Sequence, residues 1–227
     1  MRRLSLMLVV LLTHWLCSGL VFGQQQYPGS LKAPWVQGET WTITQTYGTC
    51  GEPAYGSHCR RTAQFDDTYA VDIAASSCQD TWRKPVPSPI SGRISVLNTT
   101  GWGNHIAIYD DNNNCRCRIA HCDEILLSSG HVEQGQAICL AGNKGFHFDS
   151  PSCIVEEYEG AHVHMACECS DGNGGYVGVL PEPLSSHSQL AVGQPIMSNN
   201  SDDVGFFHDG WHNDGSSHAF LDAYIRA

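Results

Sequence analysis

Two histidines of this chain have a spacing that suits metal binding and acid–base chemistry. His162 and His164 lie at positions i and i+2 of a strand-like run, residues 161–165 (AHVHM). Alternate side chains of a strand point to the same face, so both imidazoles would project side by side while Val163 faces the core. One imidazole of such a pair can bind zinc, and the other can transfer a proton or stabilise an oxyanion.

Two further apolar runs each contain one ionisable side chain. Asp72 lies within residues 69–73 (YAVDI), and His121 ends residues 119–121 (IAH). A buried carboxylate without a partner is costly, so we expect Asp72 to be ion-paired, hydrogen-bonded or bound to a cation. The sequence therefore offers an aspartate and three histidines for a metal site carried by strands.

The elements around these residues are predicted to be almost entirely β-strands. Beyond the N-terminus, no long window repeats apolar residues at helical spacing, whereas short alternating runs recur between Gly, Pro, Asn and Asp. We expect an all-β fold with few short helices, a hairpin turn at 110–114, and a sheet edge or extended connection at the prolines of 85–89. Strands are predicted at 40–46, 69–73, 92–97, 105–109, 115–121, 137–140 and 161–166.

The N-terminus has the three regions of a secretory signal peptide. Arg2 and Arg3 precede an apolar run at 4–16, and small residues follow as far as Gly23. The run of about 13 apolar residues is shorter than the roughly 20 that cross a bilayer, so we expect cleavage near Gly23 and no membrane association afterwards. The mature protein is predicted to be secreted and extracellular.

Ten of the 11 cysteines remain once Cys17 leaves with the signal peptide. In an oxidising compartment this even number predicts five disulfide bonds, whose pairing the sequence leaves open. A cysteine metal site is a weaker alternative, because the pairs at 115–117 and 167–169 have one intervening residue rather than two. Sequons at Asn98 and Asn199 predict a glycoprotein. The ten are Cys50, Cys59, Cys78, Cys115, Cys117, Cys122, Cys139, Cys153, Cys167 and Cys169.

Charge and composition limit the partners and the domain organisation. The chain has 12 Lys plus Arg against 23 Asp plus Glu, a net charge of -11, so we expect no nucleic-acid partner. After the signal peptide at 1–23, one domain is expected at 24–180. A Pro- and Ser-rich linker is expected at 181–203, followed by a short C-terminal tail at 204–227 to which no chemistry is assigned.

Taken in order, the motifs resemble those of the lysostaphin-type zinc metalloendopeptidases, which cleave peptide bonds of bacterial cell-wall peptidoglycan. The match spans roughly residues 38–168, and the order of the segments is that of the family. Its segments are residues 38–45, 69–73 (the aspartate strand), 85–94, 101–106 (GWGNHI), 119–121, 132–136 (VEQGQ), 142–145 (GNKG) and 160–164 (GAHVH).

The resemblance implies a β-sandwich-like fold of the duplicated hybrid motif type, with 24–180 as the peptidase domain. It implies one zinc ion per chain, held by a histidine, Asp72 and His164, with His121 and His162 acting on the reacting carbonyl. The substrates would be peptide cross-links or stem peptides of peptidoglycan. We expect the mature protein to be a monomer.

The sequence departs from the family at the first metal ligand. Many members have a histidine four residues before the aspartate, where this chain has Thr68. A hydroxyl is a poor zinc ligand beside imidazole, so another residue is needed. His58 is the best substitute, because this chain resembles members in which a Ser-His pair precedes the aspartate strand and a longer loop separates the two. Asp66 and Asp67 are alternative oxygen ligands, and His58 would otherwise be a surface histidine beside Cys59.

Three functions remain open from the sequence. The preferred one is a secreted zinc endopeptidase, because a chain that only binds metal has no chemical need for His121 and His162. The alternative is a catalytically inactive member of the same fold that acts as a secreted binding or signalling protein. Thr68 favours it, and the leukocyte-derived chemotaxin branch of this fold is similar. The third is a disulfide-stapled carbohydrate-binding module, which predicts exposed aromatic side chains and no dependence on zinc.

Overall fold

The computed structural model describes residues 25–47, 58, 61–62, 64–97, 102–145, 159–187 and 189–198. Within these ranges the chain is strand and loop except for one short helix, α1, so the all-β prediction is confirmed. No helix within the described ranges is long and apolar enough to cross a membrane. The elements are β1 (Thr40–Gln45), β2 (Val71–Ala74), α1 (Cys78–Thr81), β3 (Pro85–Pro87), β4 (Gly92–Val96), β5 (Asn104–Asp110), β6 (Cys115–Cys122), β7 (Glu124–Ile125), β8 (Ser129–Val132), β9 (Ala137–Leu140), β10 (Val163–Ser170), β11 (Tyr176–Val179) and β12 (Pro195–Met197).

The described strands form two sheets with antiparallel pairing. The larger has nine strands in the order β12-β1-β2-β10-β6-β5-β4-β8, with β11 also paired to β10. The smaller has the order β3-β9-β7, so the proline strand β3 lies at an edge, where a missing backbone N–H costs no ladder bond. The turn predicted at 110–114 does connect β5 to β6, which pair antiparallel.

Strands β2, β10 and β6 at the centre of the larger sheet have one apolar face and one polar face. Ile73, Met165 and Ile119 belong to the hydrophobic core. On the opposite face Asp72 lies beside His164 in the register between β2 and β10. This strand alternation, with period two, is what brings the aspartate and the second histidine of the sequence motifs together.

Disulfides fasten the strands that carry these residues. Cys115 pairs with Cys169 and Cys117 with Cys167, joining residues that lie directly opposite in the β6–β10 register. A third bridge, Cys122–Cys139, connects the larger sheet to the smaller one. Cys78 is disulfide-bonded as well. For these cysteines the disulfide prediction is confirmed, and a cysteine metal site is excluded because their sulfurs are already bonded.

The adjacent bridges of β6 and β10 are expected to stabilise the fold non-additively. While one bridge is intact, the second bridge closes an additional loop of only a few residues. When neither bridge is present, the first one to form must close a loop of 50 or more residues. Replacing both cysteines of one bridge by alanine should therefore cost about 2 kcal/mol, and removing both bridges about 6 kcal/mol, on the loop-entropy model. Chemical denaturation of the two single-bridge variants and the double variant measures this. If the cost of removing both bridges equalled the sum of the two single-bridge costs, the explanation that both bridges close nearly the same loop would be contradicted.

The linker predicted at 181–203 is wrong for residues 181–198. Strand β12 pairs with β1, and Leu184, Leu190 and Ile196 are buried in the core. These apolar residues recur among the prolines and serines, and burying them outweighs the polar composition that suggested a linker. The packed chain thus extends to at least residue 198.

Several sequence predictions lie outside the described residues. They concern the signal peptide, the rest of the linker, both sequons, the C-terminal tail, and Cys50, Cys59 and Cys153.

Candidate metal centre

Three buried side chains converge with the donor atoms that a metal ion requires. The donor atoms of His58, Asp72 and His164 all lie within 4.8 Å of one another. Asp72 Oδ1 is 3.2 Å from His58 Nε2 and 2.8 Å from His164 Nδ1. Among the described residues, this is the one group of three His, Cys, Asp or Glu side chains close enough to hold a metal.

His58, the candidate substitute for Thr68, lies beside Asp72 and His164. Thr68 instead donates a hydrogen bond from Oγ1 to Asp66 Oδ1, at 2.5 Å. Asp66 also lies 3.2 Å from Arg61, and neither Asp66 nor Asp67 belongs to the converging group. His58 is completely buried, so it is not the surface histidine that was its alternative.

His121 and His162 lie beside this group. Their ring centroids are 4.7 Å apart, and that of His121 is 5.7 Å from that of His164. The Nε2 atom of His162 is 3.7 Å from Asp72 Oδ1. The five residues singled out in the sequence, at positions 58, 72, 121, 162 and 164, therefore share one site.

Backbone carbonyls orient the rings of His121 and His162. His121 Nδ1 lies 3.0 Å from the carbonyl oxygen of Lys144, and His162 Nδ1 lies 2.6 Å from that of Gly160. A carbonyl oxygen only accepts hydrogen bonds, so each Nδ1 carries the proton. In a neutral ring the Nε2 atom is then unprotonated and can accept a proton.

Burial keeps both rings neutral. It lowers the pKa of His121 to about 3, assisted by the neighbouring rings of His162 and His164. Burial likewise lowers the pKa of His162, although the Asp72 carboxylate opposes the shift. At neutral pH both residues therefore offer Nε2 as a proton acceptor.

Asp72 supplies the negative charge of the site. Burial alone would raise its pKa, but His162 and the hydrogen bonds with His164 and His58 outweigh burial and hold the pKa well below the ordinary value. Asp72 is therefore ionised at neutral pH, which is the state that binds a cation.

The loops that contain Gly103 and Gly145 position the Lys144 carbonyl, which contacts the ring of His121. A Cβ atom on Gly103 would lie 2.0 Å from Lys144 O, and one on Gly145 would lie 2.2 Å from Gly103 N. Both glycines have positive φ, so the two loops can pack in direct contact. His121 itself has φ +65 and donates its backbone N–H to Trp102 O, at 3.2 Å. A non-glycine residue in this conformation is uncommon and often lies at a functional site.

A chain of buried charges, which the sequence analysis did not identify, lies behind the site. Glu168 is 2.8 Å from both Arg116 and Arg118, and Arg118 is 3.4 Å from Asp67. Asp67 in turn is 3.1 Å from His164 Nε2. The signal was present in the alternation of CRCR at 115–118 and CEC at 167–169, which puts the charges on the face opposite the cysteines.

No protein-family model and no curated protein matches this sequence. Solved structures do resemble the chain, and several are M23 peptidases. The M23 metalloprotease pseudoalterin from the deep sea is 16% identical over 79% of this chain and 89% of that chain, with a TM-score of 0.46. The catalytic domain of the prophage-encoded M23 protein EnpA from Enterococcus faecalis is 21% identical over 64% and 92%, with a TM-score of 0.41. The catalytic domain of the antimicrobial peptidase lysostaphin from Staphylococcus simulans is 18% identical over 65% and 84%, with a TM-score of 0.36.

Proposed function

We propose that this chain is a secreted zinc metalloendopeptidase that hydrolyses peptide bonds of bacterial cell-wall peptidoglycan. The observation that carries the proposal is the convergence of His58, Asp72 and His164 beside two histidines whose Nδ1 atoms contact backbone carbonyls, an arrangement that leaves Nε2 to accept a proton. An endopeptidase needs both halves of this arrangement, because one half holds the metal and the other moves protons.

The three converging donors fit zinc. Two imidazole nitrogens and one carboxylate oxygen form a donor set that catalytic zinc sites use, and three protein ligands leave one position open. His58, Asp72 and His164 would hold the ion. When bound, zinc polarises a carbonyl group and lowers the pKa of water toward neutrality.

His162 is the better placed of the two remaining histidines to accept a proton from the attacking water. Its Nε2 faces the Asp72 carboxylate at 3.7 Å, which favours the protonated ring. Once protonated, His162 Nε2 donates to the oxyanion or passes its proton to the leaving amine. His121 is held by Lys144 O, and its ring centroid lies 4.7 Å from that of His162, so a protonated His121 would share this stabilisation.

The non-enzymatic alternatives have less support in the described residues. The inactive-member hypothesis depended on the missing histidine at position 68, and His58 supplies an imidazole in its place. The carbohydrate-binding hypothesis needs exposed aromatic rings, but the exposed large hydrophobic residues of the described chain are Val192 and Met197. Trp35, Trp41 and Trp102 are buried.

Secretion also belongs to the proposal. The disulfides of β6, β9 and β10 support an oxidising compartment, which agrees with the predicted signal peptide. A mature monomer acting on cross-links or stem peptides outside the cell would meet its substrate without crossing a membrane.

Zymography on gels containing purified peptidoglycan tests the proposal. The mature chain should clear the gel, lose that activity after treatment with a chelator, and regain it when zinc is added. New amino groups released from the wall would show that a peptide bond is cut. Matched His162→Ala protein is the control for a contaminating hydrolase. Clearing that the chelator does not affect would contradict a metal mechanism, and a zinc-loaded chain that clears nothing would favour the inactive alternative.

A further inference from the structure

His164 is bordered by a carboxylate at each ring nitrogen. Nδ1 is 2.8 Å from Asp72 Oδ1, and Nε2 is 3.1 Å from Asp67 Oδ1. All three residues are buried. Asp72 belongs to the converging metal donors, whereas Asp67 does not, and the proposed metal site gives Asp67 no role.

The geometry distinguishes the two nitrogens of this ring. Asp72 Oδ1 is close to both His58 Nε2 and His164 Nδ1, so the donors converge on the Nδ1 side. Nε2 faces away from that point and toward Asp67. A carboxylate only accepts hydrogen bonds, so a neutral His164 that binds a cation through Nδ1 must donate its Nε2–H to Asp67.

Asp67 is itself held in place by the buried charge chain. Arg118 lies 3.4 Å from Asp67 and 2.8 Å from Glu168, and its guanidinium carbon is 4.5 Å from the ring centroid of Trp102. Arg118 is 1% exposed, and Trp102 contacts the ring of His164 edge-on at 4.7 Å. Arg118 and His164 Nε2 therefore both contact Asp67 Oδ1, and the buried guanidinium helps to hold that carboxylate in place.

We propose that Asp67 is a positioning residue that accepts the Nε2–H of His164 and thereby keeps Nδ1 unprotonated and directed at the metal. The inference rests on the zinc site proposed above. Carboxylates that hold the outer nitrogen of a metal-binding histidine fix its tautomer and ring orientation, and losing one typically weakens metal binding 10- to 100-fold.

The test compares the zinc affinity of the unaltered protein with that of three variants by competition against a chelator of known affinity. Asp67→Ala should bind zinc about 10- to 100-fold more weakly. Asp67→Asn should lose less, because its carbonyl oxygen can still accept from Nε2–H. Asp66→Asn, which makes the same change in the neighbouring carboxylate, should keep the affinity of the unaltered protein, since Asp66 contacts Thr68 and Arg61 instead. Thermal melting of the metal-free proteins checks that each variant folds.

A second measurement needs no substitution. In the zinc-loaded unaltered protein, ¹⁵N imidazole spectra should show His164 with its proton on Nε2. The inference is overturned if that proton is on Nδ1, if Asp67→Ala keeps full affinity, or if Asp66→Asn loses as much as Asp67→Ala. If the unaltered protein itself binds no zinc, the proposed function fails, and that outcome is visible before any variant is measured.

Discussion

Replacing His162 by alanine is expected to abolish hydrolysis while leaving the zinc content near that of the unaltered protein. His162 is not among the three converging donors, and its Nδ1–H is already donated to Gly160 O. What the variant loses is the Nε2 atom that accepts and returns a proton. A lost group of this kind typically lowers kcat by about 10²- to 10³-fold, or about 3 to 4 kcal/mol of transition-state stabilisation.

The comparison variants are His164→Ala and Asp72→Ala, which should lose zinc together with activity. Both residues contribute donors to the converging group, so each variant leaves two protein ligands, too few for a tight catalytic site. Metal analysis after gel filtration, measured alongside wall hydrolysis, separates the two classes. Equal zinc loss in all three variants would show that His162 is also a ligand. The assignment of metal binding to Asp72 and His164 and of proton transfer to His162 would then be wrong.

Period-two alternation made most of the fold predictable. Strands at 92–97, 105–109, 115–121 and 137–140 were expected close to their observed bounds, because four or more alternating residues give a clear signal. Strands β3, β7 and β12 have only two or three residues, too few to show any period. Strands β7, β8, β11 and β12 were not predicted. Strand β12 was missed because its surroundings suggested a linker and only tertiary packing buries Ile196.

The candidate site was predictable where a motif lies on a strand. His162 and His164 were expected on one face of their strand, and the family resemblance implied that Asp72 and His164 share a metal site. The register between β2 and β10 places Asp72 and His164 as neighbours. The role of Asp67 was not predictable, because it depends on how the loop at 64–68 folds over the sheet. The sequence offered it only as an oxygen ligand in place of Thr68, whereas it lies beside the outer nitrogen of His164.

His58→Ala is expected to lose zinc as completely as His164→Ala, although His58 lies 14 residues before Asp72 and outside the usual motif position. His58 Nε2 is 3.2 Å from Asp72 Oδ1, and its ring packs edge-on against that of His164 with centroids 5.0 Å apart. It therefore supplies the third donor, without which two ligands remain. The expected fall in zinc affinity exceeds the roughly 100-fold that losing a hydrogen-bond partner of a ligand costs.

Thr68→Ala is the matched control, since position 68 is where many family members have the histidine. Thr68 Oγ1 donates to Asp66, which is not one of the three converging residues, so this variant should keep its zinc and its activity. Zinc competition and wall hydrolysis on both variants decide between the two positions. If Thr68→Ala lost zinc while His58→Ala kept it, the first ligand would lie at position 68 and not at position 58. If neither variant lost zinc, His58 would be a packing residue, and the metal would be held by Asp72 and His164 with a donor from elsewhere in the chain.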